Sequence, residues 1–123
     1  MRFALEHQNP LVVGSAIGGG HYPPDSYWLV SSSDPGVLLW ALKPSEEGID
    51  EGVIARYWNV RSAERSIQIT LNAPLAGARA VTHLETDLDS LPVSGNAVTA
   101  RFAPQQIRAF RLRRACERCC VFR

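Results

Sequence analysis

Three cysteines close to the C-terminus have a spacing that could serve zinc binding. Cys116, Cys119 and Cys120 form a C-x-x-C pair with one extra thiol. A structural zinc site needs four ligands, which usually include a second pair elsewhere in the fold. The sequence has no other cysteine, and its three histidines are scattered without ligand spacing. We therefore predict no metal site, and we interpret residues 114–123 as a basic, cysteine-containing tail that is disordered.

Acidic residues in the second half of the chain could supply hydrolytic chemistry. Glycoside hydrolysis needs two carboxylates roughly 5 to 9.5 Å apart. Asp87 and Asp89 would point to one side of an extended segment, with Glu85 nearby. Such a cluster is more often a solvated face or a turn. The glycine run at residues 14–20 lacks the Gly-Lys-Ser/Thr ending of a phosphate loop. We predict no catalytic residue and no cofactor in this chain.

Aromatic side chains are the remaining groups that could bind a ligand. Several of them could stack on sugar rings if they lay exposed in a row. The alternative is packing in the core or between domains, since each aromatic buries about 150–250 Å². The sugar-contact candidates are Tyr22, Trp28 and Trp58.

The composition limits the class of protein. A length of 123 residues fits one domain, and the net charge of +1 argues against binding to nucleic acid or to an anionic membrane surface. No apolar run approaches the ~18 residues of a membrane span. The N-terminus lacks the apolar core of a secretory signal, and three cysteines do not make a disulfide framework. These features predict a cytoplasmic protein.

The elements that would position these residues are strands. The clearest period-two pattern is Ser66–Leu71, where isoleucine and leucine alternate with polar residues. Residues 44–52 carry four carboxylates and read as an exposed connection, and residues 93–97 read as a hairpin turn. Strands are predicted at residues 3–8, 26–32, 37–42, 53–60, 66–71, 78–84, 98–102 and 107–112. The chain is therefore predicted to be all-β, an antiparallel β-sandwich of about eight strands forming one domain over residues 1–113.

The strand Gly52–Asn59 and its neighbours resemble a known family. Leu42-Lys43, the acidic segment after it, and Arg56 and Asn59 are similar to the C-terminal β-domain of glycoside hydrolase family 38 α-mannosidases. Further similar segments are Arg2-Phe3-Ala4-Leu5, Ile67–Leu71, Leu84-Glu85 and Pro104-x-x-Ile107, so that the likeness extends over residues ~2 to 113.

The resemblance implies a non-catalytic role. In that family the zinc site and the aspartate nucleophile lie in an N-terminal catalytic domain, and its His-x-Asp zinc motif has no counterpart here. The chain would correspond to the tail end of such an enzyme, either a fragment or a separately encoded piece. Its role would be to brace the catalytic domain and to wall one side of the sugar site. The alternatives are a stand-alone carbohydrate-binding module and an interaction protein that self-associates through a sheet edge or an apolar patch.

Overall fold

The computed structural model describes residues 4, 7, 8, 13–15 and 28–115. The candidate Tyr22 and the cysteine tail lie outside these residues. Ala4, His7 and Gln8 have helical backbone, so the strand predicted over residues 3–8 is wrong at these positions. The local sequence explains this, because alanine, leucine, glutamate and glutamine are good helix formers. In the described part of the chain no helix is long and apolar enough to span a membrane.

Residues 28–115 contain nine strands and no helix. The strands are β1 (Val30–Ser32), β2 (Val37–Ser45), β3 (Gly48–Asn59), β4 (Arg65–Leu71), β5 (Leu75–Val81), β6 (Asp87–Leu91), β7 (Val93–Ser94), β8 (Ala97–Phe102) and β9 (Ile107–Arg114). They form a four-stranded sheet in the order β1-β4-β8-β7 and a five-stranded sheet in the order β2-β3-β9-β5-β6, with antiparallel pairing throughout. The predicted antiparallel β-sandwich is confirmed.

The core lies between the two sheets. Ile67, Ile69 and Leu71 are buried, whereas Ser66 and Gln68 between them are exposed, so the alternation predicted for β4 is confirmed. Three aromatic rings fill the centre, with centroid separations of 5.8 to 6.5 Å. They belong to Tyr57, Phe102 and Phe110, which are fully buried and come from both sheets.

The exposed connection predicted at residues 44–52 is wrong, because this segment is a β-hairpin. β2 continues to Ser45 and β3 begins at Gly48, with Ser45 opposite Gly48. Pro44 is tolerated because β2 is an edge strand, where a missing N–H costs no ladder bond. Gly48 and Gly52 have φ of +119° and +120°, a region that other residues rarely adopt. A Cβ at Gly52 would also lie 2.7 Å from the carbonyl oxygen of Leu112.

The strand predicted over residues 78–84 starts earlier and stops earlier than expected. β5 ends at Val81, and residues 82–86 form the β5–β6 loop instead of extending the strand. The loop is closed by backbone bonds between Thr82 and Thr86 and between Glu85 and Thr82, and Glu85 has a φ of +64°. The turn predicted at residues 93–97 is confirmed, with Gly95 at a φ of +63° between β7 and β8.

Candidate functional site

The site of interest is the outer face of the five-stranded sheet, which is the face turned away from the four-stranded sheet. Side chains alternate along a strand, so the neighbours of the core residues Tyr57 and Phe110 point outward. Strand register places these outward residues in rows. One row joins Ile54 to Arg111 and Arg79, a second joins Arg56, Ala109 and Val81, and a third joins Leu38, Trp58 and Ile107.

Part of this face is covered by the β5–β6 loop, and we call it the covered half. Ile54, Val81 and Ala109 form a buried apolar cluster there, although they point away from the main core. Two arginines of the sheet hold the loop by its backbone. Arg56 Nη2 donates to the carbonyl of His83 at 2.8 Å, and Arg111 Nη2 donates to the carbonyl of Glu85 at 2.9 Å.

The side chain of Glu85 fixes the far end of the loop to the β2–β3 hairpin. Its buried carboxylate accepts the backbone N–H of Glu46 at 3.0 Å and pairs with the ammonium of Lys43. The hydrogen bond from Lys43, followed by that from the Glu46 backbone, lowers the pKa of Glu85. The same hydrogen bond raises the pKa of Lys43. Glu85 is therefore an ionised structural group and is poorly suited to act as a general acid.

A cleft of ≈ 330 Å³, here the arginine cleft, lies beside the covered half. Arg79, Arg111 and Arg113 line it, and each has a carboxylate partner. Asp87 bridges Arg79 and Arg111 at 3.0 Å each. The Arg113 guanidinium lies 3.9 Å from the carboxylate of Glu51. The positive charge of this cleft is thus largely compensated from within the chain.

The acidic residues considered for hydrolysis lie in different local environments. Asp87 is engaged by two arginines, and Glu85 is engaged by Lys43 and a backbone amide. Asp89 is exposed on β6. Within the described residues no group of three or more His, Cys, Asp or Glu side chains is placed to hold a metal ion.

The open half is the end of the outer face where β2 begins, β3 ends and β9 begins, and it consists of Leu38, Trp40, Trp58 and Ile107. Trp40 sits at a register shift in the edge strand β2, and its ring meets that of Trp58 edge-to-face at 5.6 Å and 87°. Trp40 is 54% exposed and Ile107 is 58% exposed. No loop of the described chain covers these side chains as the β5–β6 loop covers Ile54.

A second cleft, of ≈ 490 Å³, adjoins the open half at Ile107, and we call it the apolar cleft. Its apolar walls are Val81, Leu88, Ile107 and Ala109. Arg56 and the loop residue His83 also line it. It therefore lies where the covered half and the open half meet.

The sugar-contact candidates are separated in the structure. Trp28 is exposed and precedes β1 of the four-stranded sheet, whereas Trp58 is partly buried in the five-stranded sheet. The ring contact of Trp58 is with Trp40, which was not among the candidates. Sugar contact by Trp28 and Trp58 stays a prediction. Tyr57 is a core residue, and burial raises its pKa to about 12.

Arg56 and Asn59, on which part of the family resemblance rests, both form hydrogen bonds that join β3 to neighbouring loops. Asn59 is fully buried, and its side-chain amide donates to the carbonyls of Ala63 and Ala103 at 2.9 Å each. Its side-chain oxygen accepts the N–H of Arg61 at 3.0 Å. The end of β3 is thereby tied to two turns, while Arg56 ties β3 to the β5–β6 loop.

Sequence reasoning missed the contacts that organise this face. Lys43 and Glu85 lie far apart in sequence, as do Arg111 and the loop carbonyl that it binds. The outward position of Ile107 was detectable only after the register of β9 against β3 was known. The one local signal was the presence of Trp and Ile at outward positions of predicted strands.

Comparison with known proteins agrees with this architecture. The model of the glycosyl hydrolases family 38 C-terminal beta sandwich domain matches residues 36–110, which is more than half of the chain. The matched range runs from the start of β2 into β9 and includes the covered half, the open half and both clefts. No curated protein matches the chain. The chain therefore belongs to the C-terminal β-sandwich domain family of the family 38 glycosyl hydrolases.

Proposed function

We propose that this chain is the non-catalytic C-terminal β-domain of an α-mannosidase-like glycoside hydrolase, and that it braces the catalytic domain through the open half. The observation that carries the proposal is the exposure of Trp40 and Ile107, at 54% and 58%, on a sheet face whose other half is covered. Aromatic residues are enriched at protein interfaces, where they supply large contact areas. Membership of the family supplies the class of partner.

The chemistry of the chain favours bracing over hydrolysis. Hydrolysis of a glycoside needs an acid and a second carboxylate on opposite sides of the bond. In the described residues the buried carboxylate is held ionised by Lys43, and Asp87 is neutralised by two arginines. The zinc that the family resemblance implies is expected in the catalytic domain, and among the described residues no group of three or more His, Cys, Asp or Glu side chains is placed to hold a metal ion.

A direct test mixes this chain with the catalytic domain of a family 38 α-mannosidase produced without its own β-sandwich. We expect the two to comigrate in size-exclusion chromatography, and we expect the catalytic domain to lose activity more slowly on heating. Ile107→Ser should weaken the association about tenfold, which corresponds to about 1.4 kcal/mol. Ile49→Ser is the matched control, because Ile49 is 61% exposed on the β2–β3 hairpin, away from the open half. Equal weakening by both variants, or no association at all, would contradict the proposal.

The chain by itself should not hydrolyse aryl α-mannosides, with or without added zinc. Turnover that persists through stringent purification and copurifies with the chain would contradict a non-catalytic role. Sizing of the chain alone tests self-association, which would compete for the same open half. A dimer that Ile107→Ser dissociates and the catalytic domain does not displace would favour an interaction protein over a brace.

Direct sugar binding is the second candidate, supported by the exposed ring of Trp40 and the partly buried ring of Trp58 beside it. Their edge-to-face arrangement offers one ring face at a time to a pyranose. Titration with mannose oligosaccharides, followed by tryptophan fluorescence, tests it. Saturable quenching that Trp58→Ala abolishes would support sugar contact, and a flat response at millimolar sugar would remove it.

A further inference from the structure

The apolar cleft differs from an ordinary surface depression in the kind of side chains that converge on it. Its walls are Val81, Leu88, Ile107 and Ala109, and it is large enough, at ≈ 490 Å³, to receive a partner side chain. Ile107 belongs both to the cleft and to the open half. A partner that rests on the open half is therefore placed to insert a side chain here.

No carboxylate of the described chain forms an ion pair with the arginine charge at the apolar cleft, although Arg56 is near enough to the Glu85 carboxylate to help lower the pKa of that group. Arg56 lines the cleft with an outward side chain, and no carboxylate does. Arg108 also borders the cleft, but its guanidinium lies on the core-facing side of the sheet, over Phe102 and Phe110. Arg56 donates one hydrogen bond, to the carbonyl of His83, and its buried Nε has no acceptor among the described residues. The Arg108 guanidinium lies 5.1 Å from the centroid of Phe110, and it donates to the carbonyl of Arg101 at 2.6 Å.

The arginine cleft gives the contrast on the same face. There each of the three arginines has a carboxylate of this chain within 4 Å. In the described part of the chain no carboxylate lies within ion-pairing distance of Arg56 or of Arg108. Apolar walls with an unpaired guanidinium are complementary to an apolar group that carries a carboxylate.

We infer that the apolar cleft receives an apolar side chain of the catalytic domain that is accompanied by an aspartate or glutamate, and that Arg56 pairs with this carboxylate. The inference rests on the proposed function and names the chemistry of the partner surface. The apolar side chain contacts Ile107 and Leu88, and the carboxylate accepts from the free N–H groups of Arg56. Exclusion of water by the apolar contacts strengthens this ion pair.

The decisive variant is Arg56→Gln, tested in the association assay with the isolated catalytic domain. We expect the dissociation constant to rise about tenfold or more. Arg113→Gln is the matched control, since Arg113 is an outward arginine of the same sheet that already faces Glu51. It should change the constant less than about twofold. Equal binding by the Arg56 variant and the unchanged chain overturns the inference.

Arg56 also holds the β5–β6 loop, so a second measurement separates recognition from folding. Raising the salt from about 50 to about 500 mM should weaken binding of the unchanged chain, because salt screens the attraction between the two charges while they are still solvated in the separate proteins. The salt dependence should be smaller for Arg56→Gln and should persist in Arg56→Lys, which keeps the charge. A salt dependence that is identical in all three proteins overturns the inference, whatever their stability.

A small probe tests the cleft without the catalytic domain. We expect 3-phenylpropionate to shift the methyl NMR signals of Ile107 and Leu88, and we expect the uncharged 3-phenylpropionamide to shift them much less. The absence of any acid-specific shift overturns the recognition chemistry. If the catalytic domain binds but ignores Arg56, the inference fails while the bracing role stands. If the catalytic domain does not bind at all, the bracing role fails, and the partner assigned to the cleft fails with it.

Discussion

The covered half and the open half of the outer face share strands β3 and β9 but lie in different environments, with β5 completing the covered half and β2 completing the open half. Ile54 on β3 is fully buried under the β5–β6 loop, while Trp58, four residues later on the same side of the same strand, borders exposed Ile107. On this face Ile54, Val81 and Ala109 are buried beside the β5–β6 loop, whereas Trp40 and Ile107 are exposed. The uncovered row is the part of the sheet that a second protein surface can complete.

The two clefts also differ in how far the chain itself supplies partners for their side chains. In the arginine cleft the carboxylates of Asp87, Glu47 and Glu51 face the guanidinium groups, so the charges are balanced internally. In the apolar cleft Arg56 donates to a backbone carbonyl and has no carboxylate within ion-pairing distance among the described residues. Both regions keep a buried arginine Nε without an acceptor among the described residues, on Arg111 and on Arg56. The difference is that only the arginine cleft balances its guanidinium groups with carboxylates.

The largest difference between the halves should appear in stability. Ile54→Ala removes a fully buried side chain, and we expect it to lower the free energy of unfolding by about 2–5 kcal/mol. Ile107 is exposed and lies in the row of Trp58, so Ile107→Ala should lower the free energy of unfolding by less than about 1 kcal/mol. Urea unfolding monitored by circular dichroism measures both. Similar costs for the two variants would show that the halves are not distinct.

The next effect concerns how the loop is held. Arg111→Met removes the donor to the Glu85 carbonyl and one of the two partners of Asp87. Because hydrogen bonds to charged groups contribute about 1.5–3 kcal/mol, we expect a loss in that range. Arg113→Met is the control, and its solvent-exposed pair with Glu51 should contribute no more than about 0.5 kcal/mol. Faster amide exchange at residues 82–86 in the Arg111 variant alone would locate the effect in the loop.

Local sequence patterns predicted the sandwich well because its central strands carry local signals. β4 alternates buried Ile67 and Ile69 with exposed polar residues, and the β7–β8 turn needs the positive φ that Gly95 supplies. The β2–β3 hairpin was missed because its carboxylates resemble those of an exposed loop. Its determinants are two glycines with positive φ and the pairing of Pro44 with Val53, which no local pattern shows.

The candidate site was less predictable because its contacts join distant parts of the chain. The Glu85 carboxylate binds an amide 39 residues away, and Arg111 binds a carbonyl 26 residues away. Composition shows that these charges exist and cannot show which of them meet. Which half of the sheet face is covered depends on where the β5–β6 loop folds, and that is decided by these long-range contacts.

The stabilisation that the Glu85–Lys43 ion pair gives to the β5–β6 loop should depend on pH. The pKa of Glu85 is lowered from 4.5 in the folded protein, mainly by Lys43, so ionised Glu85 stabilises the fold above that pH. This contribution is lost as the pH falls below 4.5 through the folded pKa. Glu85→Gln should therefore be less stable than the unchanged chain at pH 7, and the gap should shrink near pH 3. A gap that stays constant over this range would show that the charge of Glu85 does not attach the loop.

The smallest expected effect is the coupling between Trp40 and Trp58, which tests whether the open half is ordered before a partner binds. The edge-to-face contact of Trp40 and Trp58 should give a coupling energy of about 0.5–1 kcal/mol in a double-mutant cycle of the two alanine variants. A measurable coupling means that the two rings already hold each other in the free chain, so a partner meets a prearranged surface at low entropic cost. A coupling of zero in urea unfolding would mean that the rings move independently. The open half would then be ordered only by its partner, in contrast to the covered half, which its own loop keeps in place.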